Sequence, residues 1–269
     1  MTDTDRLFAG SIPALYERYM GPMLFEPYAA DLAAQLADLE AGRLLEIAAG
    51  TGIVTRKLDA ALPPGVAITA TDLNPGMIEV GQRQAQSARI QWRQADAMSL
   101  PFEDESFDAV VCQFGVMFFP DKRAAFREAL RVLKPGGRFL FNVWDRIEAN
   151  ALTQVAAETL AALFPENPPD FMARVPFGYH DKAAIEGDLR AAGFRSAGVE
   201  TLERRSRTDA ARNAATGLVQ GSPLRNEIEA RGPNRLEEAT DAVARAIAAR
   251  FGQGPIDAPM QAHVFTARR

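Results

Sequence analysis

The chain has 269 residues, 47% of them hydrophobic and 24% charged, with a formal net charge of −5. That balance belongs to a globular chain long enough for a sizeable core, and it excludes a global basic field that would draw in nucleic acid or anionic lipid. A lone cysteine, Cys112, excludes an intramolecular disulfide and a cysteine-built metal site.

The opening MTDTDRLFAG lacks the basic flank and apolar run of a signal peptide, so a cytoplasmic chain is expected. The longest uncharged apolar run, AVVCQFGVMFF, is too short to cross a bilayer, and no integral membrane segment is expected. The aromatic segment YERYMGPMLFEPY leads into YAADLAAQLADLE, where Leu32, Leu36 and Leu39 recur at helical spacing. Over residues 43–145 short apolar runs alternate with helical patterns. RLLEIA, AITATD, IQWRQAD, FDAVVCQF and RFLFNVW read as strands; TGIVTRKLDAAL, NPGMIEVGQRQAQ and DKRAAFREALRVL read as helices. The last helix places Phe126, Leu130 and Leu133 on one face, takes Asp121 as its cap, and stops at KPGG. This alternation predicts an α/β doubly wound, mostly parallel sheet.

Beyond residue 145 the pattern changes. Residues 149–163 read as a helix, FPENPPDFMARVPFGYH as a proline-rich loop, and a helix runs from Asp181 to a stop at Gly193. SAGVETLERRSR and HVFTARR read as strands, and the helical stretch between them carries Leu236, Val243, Ile247 and Phe251 on one stripe. Arg204, Arg205, Arg207 and Arg212 read as a solvated face. The expected division is an N-terminal helical cap (1–40), a core (41–146), and the rest of the sheet (147–269) with helical insertions at about 147–180 and 208–260.

The candidate chemistry begins at LLEIAAGTG. A buried strand runs into a turn where Gly50 and Gly52 leave backbone bare, the place where an open parallel sheet binds ligands. Asp72 ends the next strand, twenty residues after Gly52, where an ionised carboxylate can accept two ribose hydroxyls. Asn74 is the better cap for the following helix, which leaves Asp72 for another task. A dinucleotide fits poorly. Thr55 stands where that fingerprint needs a third glycine, and Glu46 would repel a pyrophosphate. The site reads as one for a nucleoside that carries cations.

LLEIAAGTG, ATDLNPGM, QADAMSLPF, FDAVVCQFGVMFF and LRVLKPGGRF, in this order, resemble the motif set of class I S-adenosylmethionine-dependent methyltransferases. They are most similar to the type 11 branch that includes ubiquinone and menaquinone C-methyltransferases. The resemblance covers residues 43–145 and implies a seven-stranded sheet whose last strand is antiparallel and sits between the fifth and sixth. It implies that Glu46 orients the loop and the methionine amino group, and that Ala48, Gly50 and Gly52 line the methionine portion. Asp72 would take the ribose hydroxyls, with Leu73 and Met77 against adenine. Asp96 would accept the adenine amino group, Ala97 would offer a backbone N–H, and backbone around Cys112 and Gln113 would complete the pocket. Met77 reads equally as helix–sheet packing, Trp92 as strand packing, and Cys112 as a small buried hydrophobe.

Methyl transfer from a sulfonium is an in-line displacement, and alignment alone can supply roughly 7–11 kcal/mol of the barrier. No metal is expected. His180, in PFGYHD, is the candidate general base, and Tyr19, ahead of its neighbour Tyr16, the candidate residue closing the site. Phe114, Phe118, Phe119, Phe164, Phe171 and Phe177 hint at a small apolar or aromatic acceptor. Two other readings stay open: a non-catalytic S-adenosylmethionine-binding regulatory protein, and a nicotinamide-dependent oxidoreductase of the same fold. Nucleic acid as acceptor is disfavoured by the acidic balance and by CQFG where a PPY-type motif would stand. The oligomeric state, a homodimer included, is left open.

Overall fold

The computed structural model describes residues 3–269. Seven strands form one sheet in the order β3-β2-β1-β4-β5-β7-β6. They are β1 Gly42–Ile47, β2 Val66–Asp72, β3 Ile90–Gln94, β4 Phe107–Gln113, β5 Leu133–Trp144, β6 Ser196–Thr208 and β7 Ile256–Arg268. β1 pairs parallel with β2 and β4, as do β2 with β3 and β4 with β5. β7 runs antiparallel to β5: Asp145 N–H meets Gln261 O at 3.1 Å, and Arg269 N–H meets Gly137 O at 3.1 Å, so numbers rise along one strand as they fall along the other. The final antiparallel strand between the fifth and sixth is therefore as the motifs imply. Buried positions fill β1, β2 and β4 almost without break, as strands covered on both faces require.

The helices are α1 Ile12–Leu15, α2 Glu26–Ala34, α3 Ile53–Ala61, α4 Pro75–Gln84, α5 Lys122–Val132, α6 Ala151–Leu163, α7 Phe171–Arg174, α8 Lys182–Ala192, α9 Ala211–Gln220, α10 Leu224–Glu229 and α11 Arg235–Phe251. Between α1 and α2 the residues Tyr16–Phe25 wind as a π-helix around Pro22, which has no N–H to give to a tighter ladder. Asp121 caps α5 by accepting from Ala124 N–H, and Asp181 caps α8 by accepting from Ala183 and Ala184. Gly193 ends α8 at φ 106°, a left-handed stop.

Three elements differ from the sequence reading. KPGG stops α5, yet it is also the start of β5: Phe107 pairs with Leu133 and Ala109 with Arg138, so the segment forms a bulge between them. β7 starts at Ile256 rather than at His263, because Ile256, Ala258, Met260 and Ala262 already alternate inward. The insertion before it holds three helices, not one long stretch, with Asn234 in the left-handed region (φ 62°) ahead of α11.

The chain divides into two compact units. One comprises the segments up to Pro27, Trp144–Gly178 and Glu203–Gln261; the other comprises Tyr28–Val143, Tyr179–Leu202 and Ala262–Arg269. The second holds a phenylalanine stack. Phe141 lies 5.0 Å from Phe265 and 4.8 Å from Phe139, and Phe126 meets Phe139 edge-on. Burying each such side chain contributes about 1.5–3 kcal/mol. In the first unit α11 packs on α9 and α6, and α9 packs on the π-helix. Arg174 ties that unit together by pairing with buried Asp5 (2.7 Å), with Asp170 and with Glu227. Arg205 and Arg207 pair with Asp257, and Arg212 with Glu237 and Asp241, so this basic run is a neutralised surface.

Candidate functional site

The strand order places the switch point at β1: the chain moves from β1 to β2 and β3 on one side, then returns to its other side with β4. The turn after β1 is tight. Ala48 (φ 54°), Gly50 (φ 58°) and Gly52 (φ 82°) all lie in the left-handed region. Ala49 N–H donates to Thr71 O (2.8 Å), Gly52 N–H donates to Ala49 O (2.9 Å), and Gly50 N–H donates to Asp72 Oδ2 (2.8 Å). The two glycines serve different ends. A side chain at Gly50 would meet nothing within 4 Å, whereas one at Gly52 would fall 2.8 Å from the Trp92 ring. The turn is open at Gly50 and packed at Gly52.

The end of β4 is strained in the same way. Phe114 has φ 48°, held by its N–H donating to Asn142 Oδ1 at 2.9 Å. Gly115 leaves the room that Ala48 needs: a Cβ there would stand 2.6 Å from that of Ala48. Left-handed alanine and phenylalanine each cost about 1–2 kcal/mol. Two such residues at facing strand ends mark the place where the fold spends stability on shape.

Two buried acids dominate the electrostatics. Glu46, 1% exposed, accepts the Thr55 hydroxyl at 2.6 Å through Oε2. Burial pushes its carboxyl up to about 8; the Thr55 hydrogen bond opposes that rise and the Asp72 charge adds to it. Asp72, 6% exposed, accepts Asn74 N–H at 2.8 Å on Oδ1 and Gly50 N–H on Oδ2. Burial raises its carboxyl too, against the pull of those backbone donors. Asn74 does precede α4 as its cap residue, yet its side chain makes no capping bond, and Asp72 holds its backbone instead. A crevice with two desolvated carboxyls repels phosphate and favours a cation.

The other sequence candidates fall around these two. Leu73, beside Asp72, is 38% exposed, an unusual display for a leucine, whereas Met77 is 4% exposed and packs between α4 and the sheet. Asp96 is half-buried and accepts Met98 N–H at 2.8 Å; Ala97 after it is buried. Cys112 is fully buried, its thiol pushed up by burial, and Gln113 closes β4 half-buried. Glu46, Ala48, Gly50, Gly52, Asp72, Leu73, Asp96, Ala97, Cys112 and Gln113 thus gather at or just beyond the carboxyl ends of four neighbouring strands.

His180 directly precedes Asp181, the cap of α8, in the same unit as these strand ends. Tyr19 belongs to the π-helix of the other unit, with the Arg18 guanidinium 5.0 Å over its ring. Among the six phenylalanines, Phe114, Phe119, Phe164, Phe171 and Phe177 are buried; Phe114 lies edge-on to Tyr28 and Phe177 stacks on Trp144. They are core, so the hint they gave about the acceptor loses weight. Sequence reasoning missed Thr55 as partner of Glu46, Asn142 as the brace of Phe114, and Trp92 as the packing partner of Gly52. The only available signal was that Thr55 replaced a glycine.

Among the described residues no three His, Cys, Asp or Glu side chains gather to hold a metal ion, and no helix is long and apolar enough to cross a membrane. The model of a methyltransferase domain family matches residues 45–141. The demethylmenaquinone methyltransferase of Clavibacter sepedonicus is 34% identical over 186 residues, 63% of this chain and 75% of that protein. The ubiquinone/menaquinone biosynthesis C-methyltransferase UbiE of Pseudomonas fluorescens is 37% identical over 137 residues, 49% of this chain and 53% of that protein. The chain therefore spans three quarters of the first relative and about half of the second. Among solved structures, phosphoethanolamine N-methyltransferase 2 of Haemonchus contortus, complexed with phosphomonomethylethanolamine and S-adenosylhomocysteine, superposes with TM-score 0.64 at 18% identity, covering all of this chain and 61% of that one. The YcgJ protein of Bacillus subtilis superposes with TM-score 0.57 at 20% identity, covering 90% of this chain and 98% of that one. At these identities the superpositions show the fold.

Proposed function

The chain belongs to the class I S-adenosylmethionine-dependent methyltransferases, and from that premise we propose that it methylates a small apolar or aromatic acceptor at a ring carbon. The residues present suit that cofactor. Gly50 faces open space, Leu73 leaves apolar surface bare beside Asp72, and Glu46 with Asp72 makes the crevice attractive to an ammonium or sulfonium group. The single observation that carries the reading is the Asp72 carboxylate, which ends β2 and holds the open Gly50 turn at 2.8 Å.

When bound, the cofactor supplies an electrophilic methyl group on a positively charged sulfur. The chain's own part is to bind and align. Asp72 has lone pairs beyond those given to Gly50 and Asn74, and these would take the ribose hydroxyls. Leu73, backed by Met77, would cover the adenine, with Asp96 and the Ala97 N–H at its polar edge. Glu46 would hold the amino group, fixed in place by Thr55. Ala48, Gly50 and Gly52 would follow the methionine portion, and the backbone at Cys112 and Gln113 would close it. Orientation of this kind is worth up to roughly 7–11 kcal/mol of barrier. His180 is the proposed proton acceptor and Tyr19 the proposed second substrate-side group.

The acceptor class is supported by the relatives, which act in menaquinone and ubiquinone biosynthesis as C-methyltransferases. The test is transfer of labelled methyl from S-adenosylmethionine to a demethylated quinone ring in its reduced form, with product identified by mass. A labelled ring carbon is expected. Binding of the cofactor without transfer to a panel of phenolic and quinol acceptors would instead favour a regulatory protein.

A further inference from the structure

Resting on the cofactor reading above, we propose that Trp92 is a positioning residue: its indole, wedged between Gly52 and Gly81, sets the shape of the cofactor turn. Trp92 stands on β3 opposite Ala70 of β2. A Cβ built on Gly81 would fall 2.3 Å from Cη2 of its ring and 2.6 Å from Cζ3; one on Gly52 would fall 2.8 Å from Cη2. Neither clash is with a flexible side-chain end, because the indole is rigid and fills the gap between two helices. The same would-be Cβ of Gly52 lies 3.5 Å from the Gly81 Cα, so α3 and α4 approach each other there with the ring as their spacer.

These are the helices that leave the cofactor strands. Gly52 is the residue before α3; its N–H closes the turn on Ala49 O, and its carbonyl accepts Arg56 N–H at 3.0 Å. α4 starts at Pro75, directly after Asp72, Leu73 and Asn74. One ring therefore touches both helices whose first residues carry the proposed ribose, adenine and methionine contacts. The indole is there for its shape: Nε1 is buried with no hydrogen-bond partner among the described residues, a burden phenylalanine would not carry. Glycine is required at positions 52 and 81 for the same reason, and Gly52 also needs its left-handed φ of 82°.

The test is a cycle of Trp92→Leu, Gly81→Ala and the double variant, each checked for folding by circular dichroism and titrated with S-adenosylmethionine by calorimetry. Each single change is expected to weaken the cofactor at least tenfold, Trp92→Leu by emptying the slot and Gly81→Ala by displacing the ring. The double variant, whose added methyl refills part of the space, is expected to bind better than the product of the two losses. Trp92→Phe is expected to restore most of the affinity. With a turned-over acceptor, the KM for cofactor rises while kcat at saturation holds, a split that general destabilisation would not give. Folded single variants that bind within twofold of the parent overturn the proposal while leaving the cofactor reading intact. A parent chain that binds no S-adenosylmethionine overturns the reading itself, and the proposal with it. Should Trp92→Leu fail to fold, Trp144→Phe leaves Trp92 as the sole indole of the two in the chain. Its emission must then shift in step with cofactor saturation, and unchanged emission overturns the proposal.

Discussion

Glu46→Gln separates the buried acid's charge from its shape. The carboxyl rises from an ordinary 4.5 to about 8 because burial disfavours its ionised form. In that window the folded chain holds a proton that the unfolded chain has released, so stability must fall as pH climbs. At ~1.36 kcal/mol per decade of pH, the loss between pH 4.5 and 8 comes to about 5 kcal/mol. The stabilisation is fully present below pH 4.5 and gone above 8. Glutamine keeps the volume and a hydrogen bond for Thr55 yet has no proton to lose. Urea unfolding of parent and Glu46→Gln chains from pH 5 to 9 should give stability curves that diverge steadily, the variant being the more stable at high pH. Asp72, also raised, bends both curves alike and drops out of the difference. Cofactor affinity of the parent should rise toward pH 8, as Glu46 becomes ionised, while that of the variant stays flat. Parallel unfolding curves would refute the claim that this acid is held protonated by burial.

Three further outcomes are expected. Asp72→Asn removes charge from two ribose contacts while keeping acceptors for Gly50 and Asn74; at about 1.5 kcal/mol each, affinity for S-adenosylmethionine should fall roughly 100-fold by calorimetry. An unchanged affinity would remove Asp72 from the site. Gly50→Val places a β-branched residue at φ 58°, costing about 1–2 kcal/mol in a chemical melt, and fills the opening so that cofactor binding is lost in a folded chain. Arg174→Met leaves Asp5, 3% exposed, without its guanidinium, and should lower stability by about 3 kcal/mol in thermal unfolding. An unaltered melting temperature would mean Asp5 finds water or another donor.

The alternation of apolar runs with helical stretches was enough to read the parallel core, because strands covered on both faces are written as continuous Val, Ile, Leu and Ala. Asp121, Asp181 and Gly193 were legible for a related reason, since caps act through local backbone. The bulge at KPGG was not, because proline and glycine signal a stop whether the chain turns away or rejoins the sheet, and only the pairing of Phe107 with Leu133 decides. At the site, Glu46, Gly50 and Asp72 stood out through residue type and spacing. What Gly52 faces could not be read from spacing, since the answer lies on Trp92, forty residues on and one strand removed. Thr55 looked like a missing glycine; in three dimensions it is the hydroxyl that holds Glu46. The phenylalanines misled because an aromatic near a strand end looks the same in sequence whether it lines a pocket or fills a core.

The account turns on a crevice whose two carboxyls welcome a positively charged nucleoside. Calorimetric titration of the purified chain with S-adenosylmethionine, run beside NAD under the same conditions, addresses this most directly. Saturable binding of S-adenosylmethionine with none of the dinucleotide is the predicted result. Binding of NAD, with its pyrophosphate on the Gly50 turn and no affinity for the sulfonium compound, would contradict it.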